Sequence, residues 1–309
     1  MILQSLQAGW QMVRANKRML AVFYLANLFF GLLLMWPLRA MLKGFIGDSM
    51  MGEKLGGALD MDFLFEFIKH NEQAGSVFFG LVLIVPAAAW LFTLFLSGGA
   101  LAIFAKGEKY EPELFWGGAA KYFGRFCRLV LWSLPVLALL FCLQYLESGA
   151  QRLFFGKDPY ENITYWGGWI KTGLRTFGFL LFGMILDYAR IHAVLTDENK
   201  MRLSLRAGLR LISRNFLSTF GLALLLLVIG GLALAIYNSL ANGLAAPSGL
   251  VILLLFLLQQ FYMLFRATLR LMLYASQLHL YRALVSAPVP AEITPVEMSD
   301  MNGLTPATE

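Results

Sequence analysis

NFLSTFGLALLLLVIGGLALAIYNSLANGLAAPSGLVILLLFLLQQFYMLF, residues 215–265, runs for 51 residues without a charged side chain. A helix needs roughly 20 apolar residues to cross the hydrocarbon core of a bilayer. The run is too long for one crossing and right for two. NSLANGLAAPSG, residues 238–249, supplies the turn between them through Asn, Gly and Pro. Working outward, residues 19–38, 73–105 and 129–146 are also uncharged, for 20, 33 and 18 residues. The whole chain of 309 residues is 59% hydrophobic and 14% charged, whereas soluble domains carry about 25% charged residues. Inside lipid every backbone amide needs an internal partner, which a helix provides. The expected fold is therefore all-α, a polytopic bundle of six membrane-spanning helices near 19–41, 77–99, 129–146, 176–195, 216–238 and 249–272. The first apolar run is too long for a signal-peptide core and ends without a small-x-small cleavage site, so it reads as a retained helix.

Lysine and arginine set the expected orientation. Seventeen fall on the side that holds both termini and eight on the other, which places both termini in the cytoplasm. The net charge of +6 then reflects orientation rather than nucleic-acid binding. Residues 1–282 form the membrane domain. Residues 283–309 hold four prolines, four acidic residues and no base, the composition of a disordered tail. Cys127 and Cys142 lie more than about 20 Å apart on one helix, too far for a bridge.

The sequence also repeats itself. AGWQMVRAN at 8–16 overlays AGLRLISRN at 207–215, and GGAAKYFGRFCR at 117–128 precedes the third span in the same manner. FLSGGALAIF, ILDYARIHAV and MLYASQLHLY align on Ala100, Ala189 and Ala275. The implied unit is an interfacial helix followed by a helical hairpin, used three times. In residues 200–216, Arg202, Arg206, Arg210 and Arg214 recur at steps of four, with Leu205, Leu209, Ile212 and Phe216 on another face. A basic amphipathic helix of this kind suits anionic lipid headgroups, or simply anchors the orientation. Residues 59–71 carry Asp62, Glu66 and His70 along a polar face opposite Phe63, Leu64, Phe67 and Ile68. Three such groups over two turns span about 12 Å, too far for one metal ion, so a solvated face is expected.

The intramembrane charges are the candidate site. Asp187 falls about 16 Å into the fourth span and Arg190 about 21 Å, while Arg266 lies about 25 Å into the sixth. An ionised group at that depth is costly unless paired or hydrated. Asp187 and Arg190 are three residues apart and share a face. Adding Arg266 gives one carboxylate and two guanidiniums, a surplus of positive charge that could hold an anionic group. Arg270, one turn lower, can snorkel to the boundary, and Gln259 and Gln260 could extend a polar path. The competing reading is a clamp of helix four against helix six. No Walker loop, HExxH, GxSxG or kinase signature appears, so nothing nominates a catalytic residue, a cofactor or a metal.

AGWQMVRANKRML, FLSGGALAIF with ELFWGGAAKYFGRFCRLV, LDYARIHAVL with RAGLRLISRNF, and RATLRLMLYASQLHLYR together carry a resemblance. The sequence resembles a group of bacterial six-helix inner-membrane proteins of unknown function, broadly similar to the membrane domain attached to some glycerophosphodiester phosphodiesterases. The resemblance implies a bacterial inner-membrane location and this topology. It implies no reaction. A non-enzymatic scaffold or accessory component, with a membrane protein as partner, is the leading expectation. A transporter or exporter of a small anionic or amphiphilic solute, centred on Asp187, Arg190 and Arg266, is the alternative.

Overall fold

A computed structural model describes residues 1–47, 61–70, 72–156, 160–244 and 248–286. The described residues are helical nearly throughout: α1 (Ile2–Ala15), α2 (Lys17–Ile46), α3 (Met61–His70), α4 (Glu72–Lys106), α5 (Pro112–Phe141), α6 (Gln144–Phe155), α7 (Glu161–Leu195), α8 (Met201–Arg214), α9 (Phe216–Gly243) and α10 (Gly249–Ser286). Six segments are long and apolar enough to cross a membrane, built on α2, α4, α5, α7, α9 and α10. The chain is an all-α, multi-pass membrane bundle. Its tail from residue 287 and the centre of the 238–249 turn lie outside the described residues.

The spanning helices pack at one end and part at the other. In α2 the buried residues are Met19 and Phe23, near its start, and in α9 they are Thr219, Leu222, Ala223 and Leu226, also near its start. In α7 they crowd from Met184 to Val194, and in α10 they begin at Ala267. Alternate helices thus contribute opposite ends to one core, as an up-and-down bundle must. That proximal end holds both ends of the described chain: the Ser5 hydroxyl on α1 lies 3.2 Å from His279 Nδ1 on α10. At the distal end Trp36, Leu83, Leu139 and Phe261 remain exposed, apolar surface that suits lipid rather than water.

The repeat seen in the sequence is a repeat of packing. Each proximal short helix docks on the end of an even-numbered span through small residues. A Cβ at Gly208 on α8 would come 3.0 Å from the Ala189 nitrogen, and one at Gly9 on α1 would come 3.0 Å from the Ser276 nitrogen. Ser204 and Ser5, one turn earlier, are buried and face His192 (3.4 Å) and His279 (3.2 Å). Asn215 and Asn16 end the two helices in matching conformations, φ −127° and −116°. Each amide donates to the carbonyl four residues back, Leu211 at 3.4 Å and Met12 at 2.8 Å. In the third copy, a Cβ at Gly99 would come 2.5 Å from the Phe115 carbonyl. Because α1 docks on α10, the first helix of the chain completes a unit begun by the last. Ala100, Ala189 and Ala275 are all fully buried.

Three expectations change in detail. The third docked helix is not separate: α5 runs unbroken from Pro112 to Phe141, since no asparagine stands where Asn16 and Asn215 break the other two. The fourth span starts at Glu161 rather than near residue 176, because Lys171 and Arg175 are compatible with helix outside the hydrocarbon layer. The α8 helix does not rest its apolar face on lipid. Met201, Ser204, Leu205, Gly208 and Ile212 are buried, with Gly208 against Ala189 of α7.

Candidate functional site

Asp187 and Arg190 sit where α7 crosses the bundle core. Their backbone is helical, so a spacing of three places both on one side. The Arg190 guanidinium donates to the Asp187 carboxylate in an ion pair, with the carboxylate 9% and the guanidinium side chain 12% exposed. Arg190 also donates to the Ser97 hydroxyl on α4 at 3.2 Å. Its charge lies 5.6 Å from the Tyr274 ring centre on α10 and 6.0 Å from that of Phe126 on α5. One guanidinium thereby joins four spanning helices. Gln277, 1% exposed, lines the same cavity as Asp187.

Arg266 is not a direct partner of Asp187. It lies on an exposed part of α10, and among the described residues neither it nor Arg270 has a carboxylate at ion-pair distance. The α7 register explains this: Arg190 is already within reach of Asp187 on the same helix. Arg270 contacts the Thr93 hydroxyl at 3.4 Å. Both arginines nevertheless line the same space as Asp187. A cavity of about 760 Å³ lies between α7, α9 and α10, open on one side, with Asp187, Arg266, Arg270 and Gln277 among its lining residues. Its remaining walls are apolar, from Phe179, Met184, Leu227, Leu234, Phe265 and Leu273. Phe179, Leu227 and Leu234 are 53%, 47% and 43% exposed, so the opening faces sideways from the bundle. Gly230 and Gly231 line it too, and a Cβ at Gly231 would meet nothing within 4 Å. Whereas the pair at 98–99 allows helices to touch, this pair leaves space.

Gln260 receives a hydrogen bond from the Tyr24 hydroxyl at 2.8 Å, while Gln259 is exposed. Ser97, Tyr274 and Gln277 escaped the sequence reading. Each is an ordinary residue in its own helix, and only packing brings it to Asp187.

The arginines of α8 keep an outward face. Arg202, Arg206, Arg210 and Arg214 are all exposed. Arg202 stacks on Trp132 of α5, 3.5 Å from the ring centre, a cation–π contact that holds α8 to α5. The turn after α7 is fixed separately. Asp197, at φ 51°, accepts from Lys121 at 2.9 Å and Arg125 at 2.7 Å. These hydrogen bonds from two cations hold its carboxyl below the usual carboxylate range. On α3, Phe63 and Phe67 are buried and stand 5.6 and 5.2 Å from Phe45. The side chains of Leu64, Ile68 and His70 lie outside the described residues. Cys127 and Cys142 are both free thiols.

No protein-family model matches the chain, and no curated protein or solved structure matches it either. Fold and site therefore stand on the chain's own geometry.

Proposed function

We propose that this is a bacterial inner-membrane protein, with both termini in the cytoplasm, that binds and moves an anionic amphiphile. Its proximal end is then the cytoplasmic end, in keeping with seventeen of 25 basic residues there. The single observation that carries the reading is the cavity between α7, α9 and α10. It joins apolar walls to two cations that lack ion-pair partners among the described residues. Its size falls inside the range of small-molecule sites, about 300–1,000 Å³. Its charged part lies toward the cytoplasmic end and its apolar part toward the bilayer centre. That is how a lipid of the cytoplasmic leaflet lies. A sideways opening lets such a molecule enter from the membrane without crossing water. We assign no catalytic role to any residue. The exposed arginines Arg206, Arg210 and Arg214 would attract anionic headgroups to the same surface.

The sequence alone ranks a scaffold ahead of a transporter, and the cavity supports the transporter reading proposed here. The scaffold reading retains one favourable observation, the closely packed Asp187–Arg190 pair, which is what a structural clamp needs. A flux measurement separates them. Protein reconstituted into vesicles should speed the transfer of a fluorescent monoacyl phosphate between leaflets, read by a membrane-impermeant quencher. Arg266→Gln with Arg270→Gln should abolish the acceleration. Transfer at the rate of protein-free vesicles would leave the scaffold as the better account.

A further inference from the structure

Asp187, Arg266 and Arg270 line the cavity between α7, α9 and α10, and Arg190 pairs with Asp187 from the next turn of α7. The pair cancels, which leaves the charges of Arg266 and Arg270 unbalanced: neither has a carboxylate at ion-pair distance among the described residues. The two arginines stand four residues apart on α10, so they share a face about 6 Å apart along the axis. Arg266 is exposed and Arg270 partly so, and both border the open space. A guanidinium offers five N–H donors, of which Arg270 gives one to the Thr93 hydroxyl at 3.4 Å. The other titratable side chain on the described wall is Tyr262, whose phenol is neutral well above pH 8. His192 and His279 meet Ser204 and Ser5 instead and are not among the lining residues.

We propose that the ligand's head is a phosphate monoester, bound as the dianion by Arg266 and Arg270 together. The inference rests on the amphiphile reading above and specifies its substrate class. Uncompensated charge is costly beside apolar walls. A doubly ionised head leaves the cavity neutral, a singly charged phosphodiester leaves one cation unbalanced, and a zwitterionic head leaves both. Geometry favours the same choice. A guanidinium grips phosphate through paired N–H···O bonds, and a monoester presents three terminal oxygens to two such groups. A phosphodiester has one of those oxygens blocked by its second alcohol. The alkyl chain lies against the apolar wall of Phe265, Leu227 and Leu234, which a free phosphate would leave unused.

The test is equilibrium binding of three lipids of equal chain length to the purified full chain: lysophosphatidate, lysophosphatidylglycerol and lysophosphatidylcholine. At pH 8 lysophosphatidate should bind about tenfold more tightly than lysophosphatidylglycerol, the value of one further hydrogen bond to a charged group, and lysophosphatidylcholine should bind most weakly. A monoester takes up its second proton near pH 6, so lysophosphatidate should bind about fivefold more weakly at pH 5 than at pH 8. Lysophosphatidylglycerol keeps its charge over that range and should not change. Arg266→Gln should bring lysophosphatidate to the level of lysophosphatidylglycerol. Should that variant fail to fold, the pH comparison on the unaltered protein decides. Glycerol 3-phosphate, the same head without the chain, should displace lysophosphatidate only in large excess. Lysophosphatidate and lysophosphatidylglycerol binding equally at pH 8, with lysophosphatidylcholine weaker, would overturn the dianion inference and leave the amphiphile reading standing. So would a pH dependence that both anionic lipids share. Equal binding of all three, binding of none, or displacement by an equal concentration of glycerol 3-phosphate overturns both.

Discussion

Asp187 is the residue on which the interior turns. An aspartate buried this deeply survives there because Arg190 pairs with it on the same helix. Removing one partner of a buried pair strands the other charge. Asp187→Ala should therefore lower stability by about 3 kcal/mol, a magnitude typical of broken buried pairs. The double change Asp187→Leu with Arg190→Met should cost less than the single one, because it removes both charges. Thermal unfolding in detergent measures this, and a double variant less stable than the single would refute the pairing. Exchanging Asp187 with Arg266, the partner expected from helix depth, should rescue nothing. Arg190 was legible in the sequence, since a spacing of three on a helix needs no tertiary knowledge. Ser97 and Gln277 were not. They come from α4 and α10, about 90 residues away on either side, and no local pattern marks which serine or glutamine the packing will bring inward.

At the scale of the element, the docked helices decide the fold's proximal end. AGWQMVRAN and AGLRLISRN looked alike as strings, and the resemblance proves physical. In both, serine, glycine and a branched apolar residue at steps of four form the buried face: Ser5, Gly9 and Val13, then Ser204, Gly208 and Ile212. Glycine is needed because another backbone lies in contact there. Gly208→Leu should destabilise by about 1–3 kcal/mol, as overpacking does, whereas Gly231→Leu should leave unfolding unchanged. Equal effects of the two on the melting temperature would show that α8 is not seated on α7. What the sequence misplaced was the covering of α8. Its amphipathic pattern correctly divides a basic face from an apolar one. Pattern alone does not tell whether lipid or another helix covers the apolar face, since both are equally greasy. Span boundaries shifted for a related reason: charged residues such as Lys171 and Arg175 mark the edge of the hydrocarbon layer, not the end of a helix.

For the whole molecule, six crossings follow from apolar length, and their alternation gathers the buried ends into one core. The distal halves separate, and a cavity beside Asp187 opens between α7, α9 and α10. That opening was not legible in the sequence, which fixes lengths and faces but not the angles between helices. The depth of Asp187, the direction of the cavity and the source of its ligand all depend on which way the bundle sits. The most direct measurement is labelling of single cysteines, placed in a cysteine-free background at Gln7, Thr164, Asn242 and Ser286, with a membrane-impermeant thiol reagent. All four positions are exposed. In intact cells Thr164 and Asn242 should label, and Gln7 and Ser286 should label only once the membrane is opened. Labelling of Gln7 and Ser286 from opposite sides would contradict the six-span account, and with it the site between α7 and α10.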